Sequence, residues 1–140
     1  IEPGTAILDQ TGIVVTKVNF VKELETGDKM VYLDMKSQDV IMGGGEMFLD
    51  PVHLIKESEK DLREDAKEGV YVAGNLCMEN DLIYSHKIYL DKEVKKGDIF
   101  VFVNTGAYLM DFYRTDTARQ KIANTIAIEK DNIILDKEYF

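Results

Sequence analysis

The sequence predicts a mostly-β fold, an antiparallel β-sandwich or Greek-key barrel with one or two short helices. Short runs rich in β-branched and aromatic residues recur along the chain, separated by turns containing Gly and Asp. Little of the chain reads as helix. No period of roughly 20 to 50 residues repeats, which excludes a solenoid. At 140 residues this is one domain, long enough to bury a core.

The elements follow in order. Thr11 to Leu24 (TGIVVTKVNFVKEL) alternates Ile13, Val15, Lys17, Asn19 and Val21 against Val14, Thr16, Val18 and Phe20, the pattern of a long strand. Glu25-Thr26-Gly27-Asp28 is a turn, and Lys29 to Met35 returns as the second strand of a hairpin. Lys36 to Asp50 holds Gly43-Gly44-Gly45 and reads as a surface loop. No P-loop Lys and Ser/Thr follow those glycines to cradle a phosphate. Ser58 to Lys67 is charged and helix-compatible, and reads as solvated.

Gly69 to Gly74 is a short strand that runs into Asn75-Leu76-Cys77-Met78-Glu79-Asn80-Asp81. Leu82 to Leu90 is another strand, and Asp91 to Asp98 a polar connection ending in a Gly-Asp turn. Ile99 to Val103 is a continuous apolar strand, expected to be buried on both faces. Asn104 to Tyr108 breaks it. Ala123 to Glu129 and Asn132 to Leu135 form a closing hairpin across Lys130-Asp131.

Composition excludes several functions. The net charge of −9 argues against nucleic acid, whose phosphates need Lys and Arg patches. No apolar run reaches the roughly 20 residues of a membrane helix, so no membrane partner is expected. A single cysteine excludes an internal disulfide and fits a reducing cytoplasm. One Cys with His53 and His86 makes no zinc cluster, and no metal is expected. The opening Ile1-Glu2-Pro3-Gly4 has no leader and reads as the continuation of a longer chain.

Three segments carry candidate chemistry. Cys77 follows a strand in a loop that also holds Glu79 and Asp81. A lone Cys is most often a small buried hydrophobe. Read functionally, an acidic loop suits a neutral thiol that donates a proton better than a thiolate nucleophile. Tyr108 follows the small residues Gly106 and Ala107 at the end of an apolar strand. Its hydroxyl could bind phosphate, or simply sit in water at a sheet edge. Glu2-Pro3-Gly4 alone is only a turn with a carboxylate.

Taken in order, EPG, the Gly74 to Asp81 loop, and Gly97-Asp98 followed, with five residues between, by Asn104-Thr105-Gly106-Ala107-Tyr108 resemble one family. It is the fold-type III pyridoxal phosphate (PLP) decarboxylases of the diaminopimelate and ornithine kind, whose C-terminal β-domain reads EPG, G-x-x-C-x-x-x-D, GD and GAY. The resemblance spans nearly the whole chain, and His53 matches a His of that domain.

The resemblance implies residue roles. Glu2 would pair with the pyridinium nitrogen of PLP, making the ring a better electron sink. The Gly4 amide and the Tyr108 hydroxyl would hold the cofactor phosphate. Cys77 would protonate the carbanion left after CO2 departs. Glu79 and Asp81 would grip a small amino-acid substrate. The Cys loop would reach the active site of a second subunit in a homodimer, and each chain's partner would be its own N-terminal (β/α)8 barrel. That barrel carries the Schiff-base lysine, so these 140 residues are expected to be inactive alone.

Two positions depart from the pattern. Thr5 stands where the family has Arg after EPG, and a hydroxyl carries no charge. Met78 stands where many members place an acid after the Cys. Both suggest a modified or larger amino acid as substrate. Two other readings are an amino-acid racemase domain of the same fold type and a non-catalytic β-domain for ligand or protein binding.

Overall fold

In the computed structural model, the structure describes residues 1–8, 10–40, 51–65, 69–106, 123–130 and 132–135. The strands are β1 (Ile13–Glu23), β2 (Lys29–Leu33), β3 (Val52–Leu54), β4 (Gly69–Ala73), β5 (Ile88–Tyr89), β6 (Ile99–Val103), β7 (Ile126–Glu129) and β8 (Asn132–Leu135). Three short 3-10 helices, at Gly4–Ile7, Ser37–Asp39 and Glu57–Leu62, are the helical content among the described residues. The mostly-β expectation holds. Six strands form one curled sheet in the order β3-β6-β1-β2-β4-β5, a half-barrel, and β7 with β8 forms the expected hairpin. Every pair in the large sheet is antiparallel except β2 with β4, which is parallel. A parallel pair needs a long crossover, and residues 34–68 supply it. Gly43-Gly44-Gly45 lie outside the described residues. No helix among the described residues is long and apolar enough to cross a membrane.

β1 is the spine. Its first half pairs with β6, from Ile13↔Val103 to Lys17↔Ile99, and its second half with β2, from Val18↔Leu33 to Glu23↔Lys29. A bulge between Val18 and Phe20 marks the handover. One extra residue reverses which side chains face inward. Val14, Thr16 and Val18 face the core before the bulge, and Val21 after it. The bulge corrects the expected alternation at Phe20, which turns outward and stacks on Tyr32 with ring centroids 4.3 Å apart.

The concave side holds the core. Val18, Val31, Leu33, Val72, Phe100 and Phe102 are fully buried there, with Ile83, Tyr84, Leu90 and Val94 brought in from connections. β6 is not buried on both faces as expected. Phe100 and Phe102 are fully enclosed, while Ile99, Val101 and Val103 on the other side are half-buried. Leu82 to Leu90 is likewise not one strand. Leu82 bridges Ala73, the chain turns to bury Tyr84, and pairing resumes only at Ile88. β3 was not foreseen from the sequence. It is three residues long, beside β6.

A buried ion cluster joins these pieces. Asp98, 1% exposed, accepts two hydrogen bonds from Arg63 (Nη1 to Oδ2 and Nη2 to Oδ1, both 2.8 Å), one from His53 Nε2 at 2.8 Å and one from the Lys95 amide at 2.8 Å. Arg63 also donates to Glu59 Oε2 at 2.5 Å and to the Glu93 carbonyl at 2.9 Å. Arg63 directly follows the Glu57–Leu62 turn and has extended backbone, which ends the helix expected at Ser58 to Lys67. Burial alone would push the Asp98 carboxyl up. The bonds from Arg63, Lys95 and His53 outweigh it and hold the group below its ordinary value of 3.8.

Removing one partner of a buried pair strands the other charge. Arg63→Met is expected to cost about 3–5 kcal/mol at pH 7, read as a lower urea midpoint. The sign with pH follows from the lowered carboxyl. Its contribution is complete above 3.8 and is lost as pH falls through the lower folded value. The gap between Arg63→Met and the unaltered chain should therefore narrow below that pH.

Candidate functional site

Strand directions orient the motifs alike. β6 and β2 are antiparallel to β1, and β4 is parallel to β2, so β2, β4 and β6 all run toward the end at which β1 begins. The residues before β1 carry Glu2 and Gly4, the exit of β4 carries Cys77, and the exit of β6 leads through Gly106 toward Tyr108. Tyr108 itself, with Ala107, lies outside the described residues.

The first and third segments touch. The Thr105 amide donates to the Gly12 carbonyl at 2.9 Å, and the Gln10 amide to Asn104 Oδ1 at 2.6 Å. Gln10 and Asn104 both adopt positive φ, 60° and 58°. Two non-glycine residues in that region signal a junction held by its surroundings. Gly106 packs so closely that a Cβ on it would lie 2.8 Å from the Gly12 amide and 3.1 Å from the Leu8 carbonyl. The chain just after the Gly4–Ile7 turn is thus fastened, at Leu8, Gln10 and Gly12, to the strand end that precedes Tyr108.

Glu2 is exposed, and Gly4 has φ +61° with nothing within 4 Å of where a Cβ would stand. An unobstructed carboxylate and an open backbone turn suit a ring nitrogen and a phosphate approaching from outside the domain. This donor and acceptor set fits the PLP ring and phosphate that the sequence suggests. Among the described residues no cluster of His, Cys, Asp and Glu could hold a metal ion.

The Cys77 loop is built differently. Cys77 is a free, exposed thiol, and Met78, Glu79 and Asn80 beside it are exposed too. The reading of Cys77 as a small buried hydrophobe therefore does not hold. Asp81, by contrast, turns inward and is 4% exposed. Its Oδ1 accepts the Ser37 amide and its Oδ2 the Leu76 amide, both at 2.7 Å. Of the two acids expected to face a substrate, Glu79 is exposed and Asp81 is engaged by backbone amides. Thr5 begins the 3-10 turn at Gly4–Ile7 together with Gly4.

Sequence reasoning missed the amides that hold Asp81 and the Asp98 cluster. The G-x-x-C-x-x-x-D spacing was visible, but not that its Gly and Asp touch. The sequence marks His53 only by its match to a family His; in the fold it is a partner of Asp98.

Comparison with known proteins agrees with the resemblance. Residues 5–106 match the family described as pyridoxal-dependent decarboxylase, C-terminal sheet domain. A diaminopimelate decarboxylase of Staphylococcus aureus is 31% identical over 108 residues, covering 77% of this chain and 24% of that protein. A carboxynorspermidine decarboxylase of Campylobacter jejuni, solved with norspermidine, superposes with a TM-score of 0.71 at 24% identity, over 98% of this chain and 38% of that one. A diaminopimelate decarboxylase of Helicobacter pylori, solved with L-lysine, superposes with a TM-score of 0.70 at 20% identity, over 95% and 30%. The chain spans about a quarter to a third of the length of the curated relatives it matches.

The Gly106 contact gives a prediction. Gly106→Ala must push Leu8 to Gly12 away from the end of β6, at a cost of about 1–3 kcal/mol. Hydrogen exchange should show the Thr105 amide losing protection more than amides within β2 and β4. An unchanged Thr105 amide would mean the two segments are not pinned there.

Proposed function

This chain belongs to the pyridoxal-dependent decarboxylases as a C-terminal sheet domain, and from that premise we propose that it supplies one wall of the active site in a PLP-dependent amino-acid decarboxylase. The observation that carries this reading is the junction of the residues before β1 with the exit of β6, which joins the chain carrying Glu2 and Gly4 to the approach to Tyr108. The exposed Cys77 loop leaves β4 in the same direction, where β2 ends beside the middle of β1.

The cofactor, when bound, supplies an electron sink for the bonding pair left on the substrate carbon when CO2 departs. The rest falls to this chain. The Glu2 carboxylate accepts a hydrogen bond from the ring nitrogen and keeps it protonated, since a nearby negative charge favours the cationic form. The Gly4 amide and the Tyr108 hydroxyl donate to the phosphate. The Cys77 thiol, free and exposed on its loop, would give its proton to the carbon that lost CO2. Glu79, exposed two residues further on, receives the amine at the far end of the substrate. Met78, 47% exposed, puts a thioether where an acid would add a second hold. The substrate's distal group is accordingly larger or less strongly charged than a bare diamino acid's.

A domain that forms one wall needs the others. The outer side of β1 and β3 leaves Ile13, Val15, Val52 and Leu54 about half exposed. Such an apolar patch suits cover by another domain. In this reading the cover is an N-terminal (β/α)8 barrel that holds the Schiff-base lysine, and the Cys77 loop serves a second subunit of a homodimer. The 140 residues alone retain no covalently bound PLP.

The experiment that tests the function is a screen for CO2 release by the decarboxylase carrying this chain, across basic amino acids and their conjugates. Absence of release from every amino acid tried would sink the reading. In the same enzyme Cys77→Ala should lower kcat by roughly 100-fold or more, the usual worth of a positioned acid, or divert the product. Tyr108→Phe should weaken PLP retention by roughly tenfold or more, the loss of one hydrogen bond to a charged group, measured by equilibrium dialysis. Full retention would remove Tyr108 from the phosphate site.

A further inference from the structure

We propose that Asp81 is a positioning residue that fixes the Cys77 loop, rather than a group that touches substrate. The proposal rests on the reading of Cys77 as the proton donor.

The loop leaves β4 at Gly74 and returns at Asp81. Main-chain bonds fasten its base. The Gly74 amide donates to the Asp81 carbonyl at 2.8 Å, Asp81 to Met78 at 3.1 Å, and Ile83 to Val72 at 2.9 Å. The Asp81 side chain then reaches inside the ring so formed. Its Oδ2 takes the Leu76 amide, one residue before Cys77, and its Oδ1 crosses to Ser37 at the exit of β2. A further bond from the Asn75 amide to the Met35 carbonyl, at 2.8 Å, ties the same two connections together. Bonds from amides to an ionised carboxylate are among the stronger ones, and here they are shielded from water.

Gly74 is part of the same device. A Cβ at residue 74 would stand 2.6 Å from the Asp81 carboxyl carbon, nearer than real side chains approach. Only glycine leaves room for the carboxylate under the loop. The Gly and the Asp of G-x-x-C-x-x-x-D are thus two halves of one clamp, and Cys77, Met78, Glu79 and Asn80 are the exposed tip it holds out.

The alternative is that Asp81 grips the substrate's amine. That requires the carboxylate to release both amides and leave a site where it is 4% exposed. The clamp also explains how an exposed thiol keeps one position. Transferring a proton to carbon demands a fixed approach, and a small misplacement is costly. A loop fastened at the residue before Cys77 supplies that.

Two variants test the proposal. Asp81→Asn retains the shape but turns one acceptor into a donor. Ser37→Pro deletes the amide that Oδ1 accepts and leaves Asp81 untouched. The backbone tolerates proline there, because Lys36 is extended at φ −94° and ψ 150° and Ser37 opens a 3-10 turn. In the full chain, amide exchange at Leu76 should accelerate about tenfold or more in Asp81→Asn, while Val14 and Phe102 stay protected. In the decarboxylase carrying it, both variants should lower kcat with KM little changed. Unchanged exchange at Leu76, or a raised KM with kcat intact, overturns the proposal. Should Asp81→Asn fail to fold, Ser37→Pro carries the kinetic test alone. Cys77→Ala beside them separates the two claims. Unchanged turnover there, with faster exchange in Asp81→Asn, removes the proton-donor reading and leaves the clamp standing.

Discussion

The buried carboxylate of Asp98 is the constraint around which the sheet is organised. Its side chain gathers Arg63 from beyond a 3-10 turn, His53 from β3 and the Lys95 amide from its own turn. Its carbonyl accepts the Val18 amide at 2.8 Å, and the neighbouring Gly97 amide donates back to the Val18 carbonyl at 2.8 Å. Val18 is where β1 exchanges β6 for β2 as its partner. A charge in a dry interior is tolerable only when it is fully partnered. The cluster therefore fixes the placement of three segments that have little else in common, and it does so at the point where the sheet bends.

From that bend the geometry of the site follows. Were β1 to pair with one neighbour along its whole length, its eleven residues could not bridge two differently placed partners. The bulge and the handover let it serve both halves of a curled sheet, with Phe100 and Phe102 on one side of the core and Val31, Leu33 and Val72 on the other. The crossover to β4 then matters because it makes β4 parallel to β2. An antiparallel β4 would send its exit, and Cys77 with it, to the opposite end from the start of β1. The one parallel pair among the described strands thus sets the direction in which the Cys77 loop leaves the sheet.

The chain divides its work between fixed and open parts. Asp98 and Asp81 are both buried carboxylates satisfied by the protein, and both act on structure. Glu2, Glu79 and Cys77 are exposed at strand ends.

The sequence by itself determined the class and most strands, because period-2 runs bounded by Gly and Asp are local signals. It also determined the order of EPG, the Cys loop and GAY, which carried the family resemblance. It could not separate Glu79 from Asp81, two acids two residues apart in one loop. Which of them faces outward depends on the Ser37 amide, 44 residues distant in the chain, and on the space left at Gly74. Nor could it foresee the bulge that turned Phe20 outward, since parity along a strand is set by the partner it pairs with. Local pattern decides what a segment becomes. Contacts between residues far apart decide which way its side chains point and which chain ends meet, and those contacts exist only once the sheet has closed.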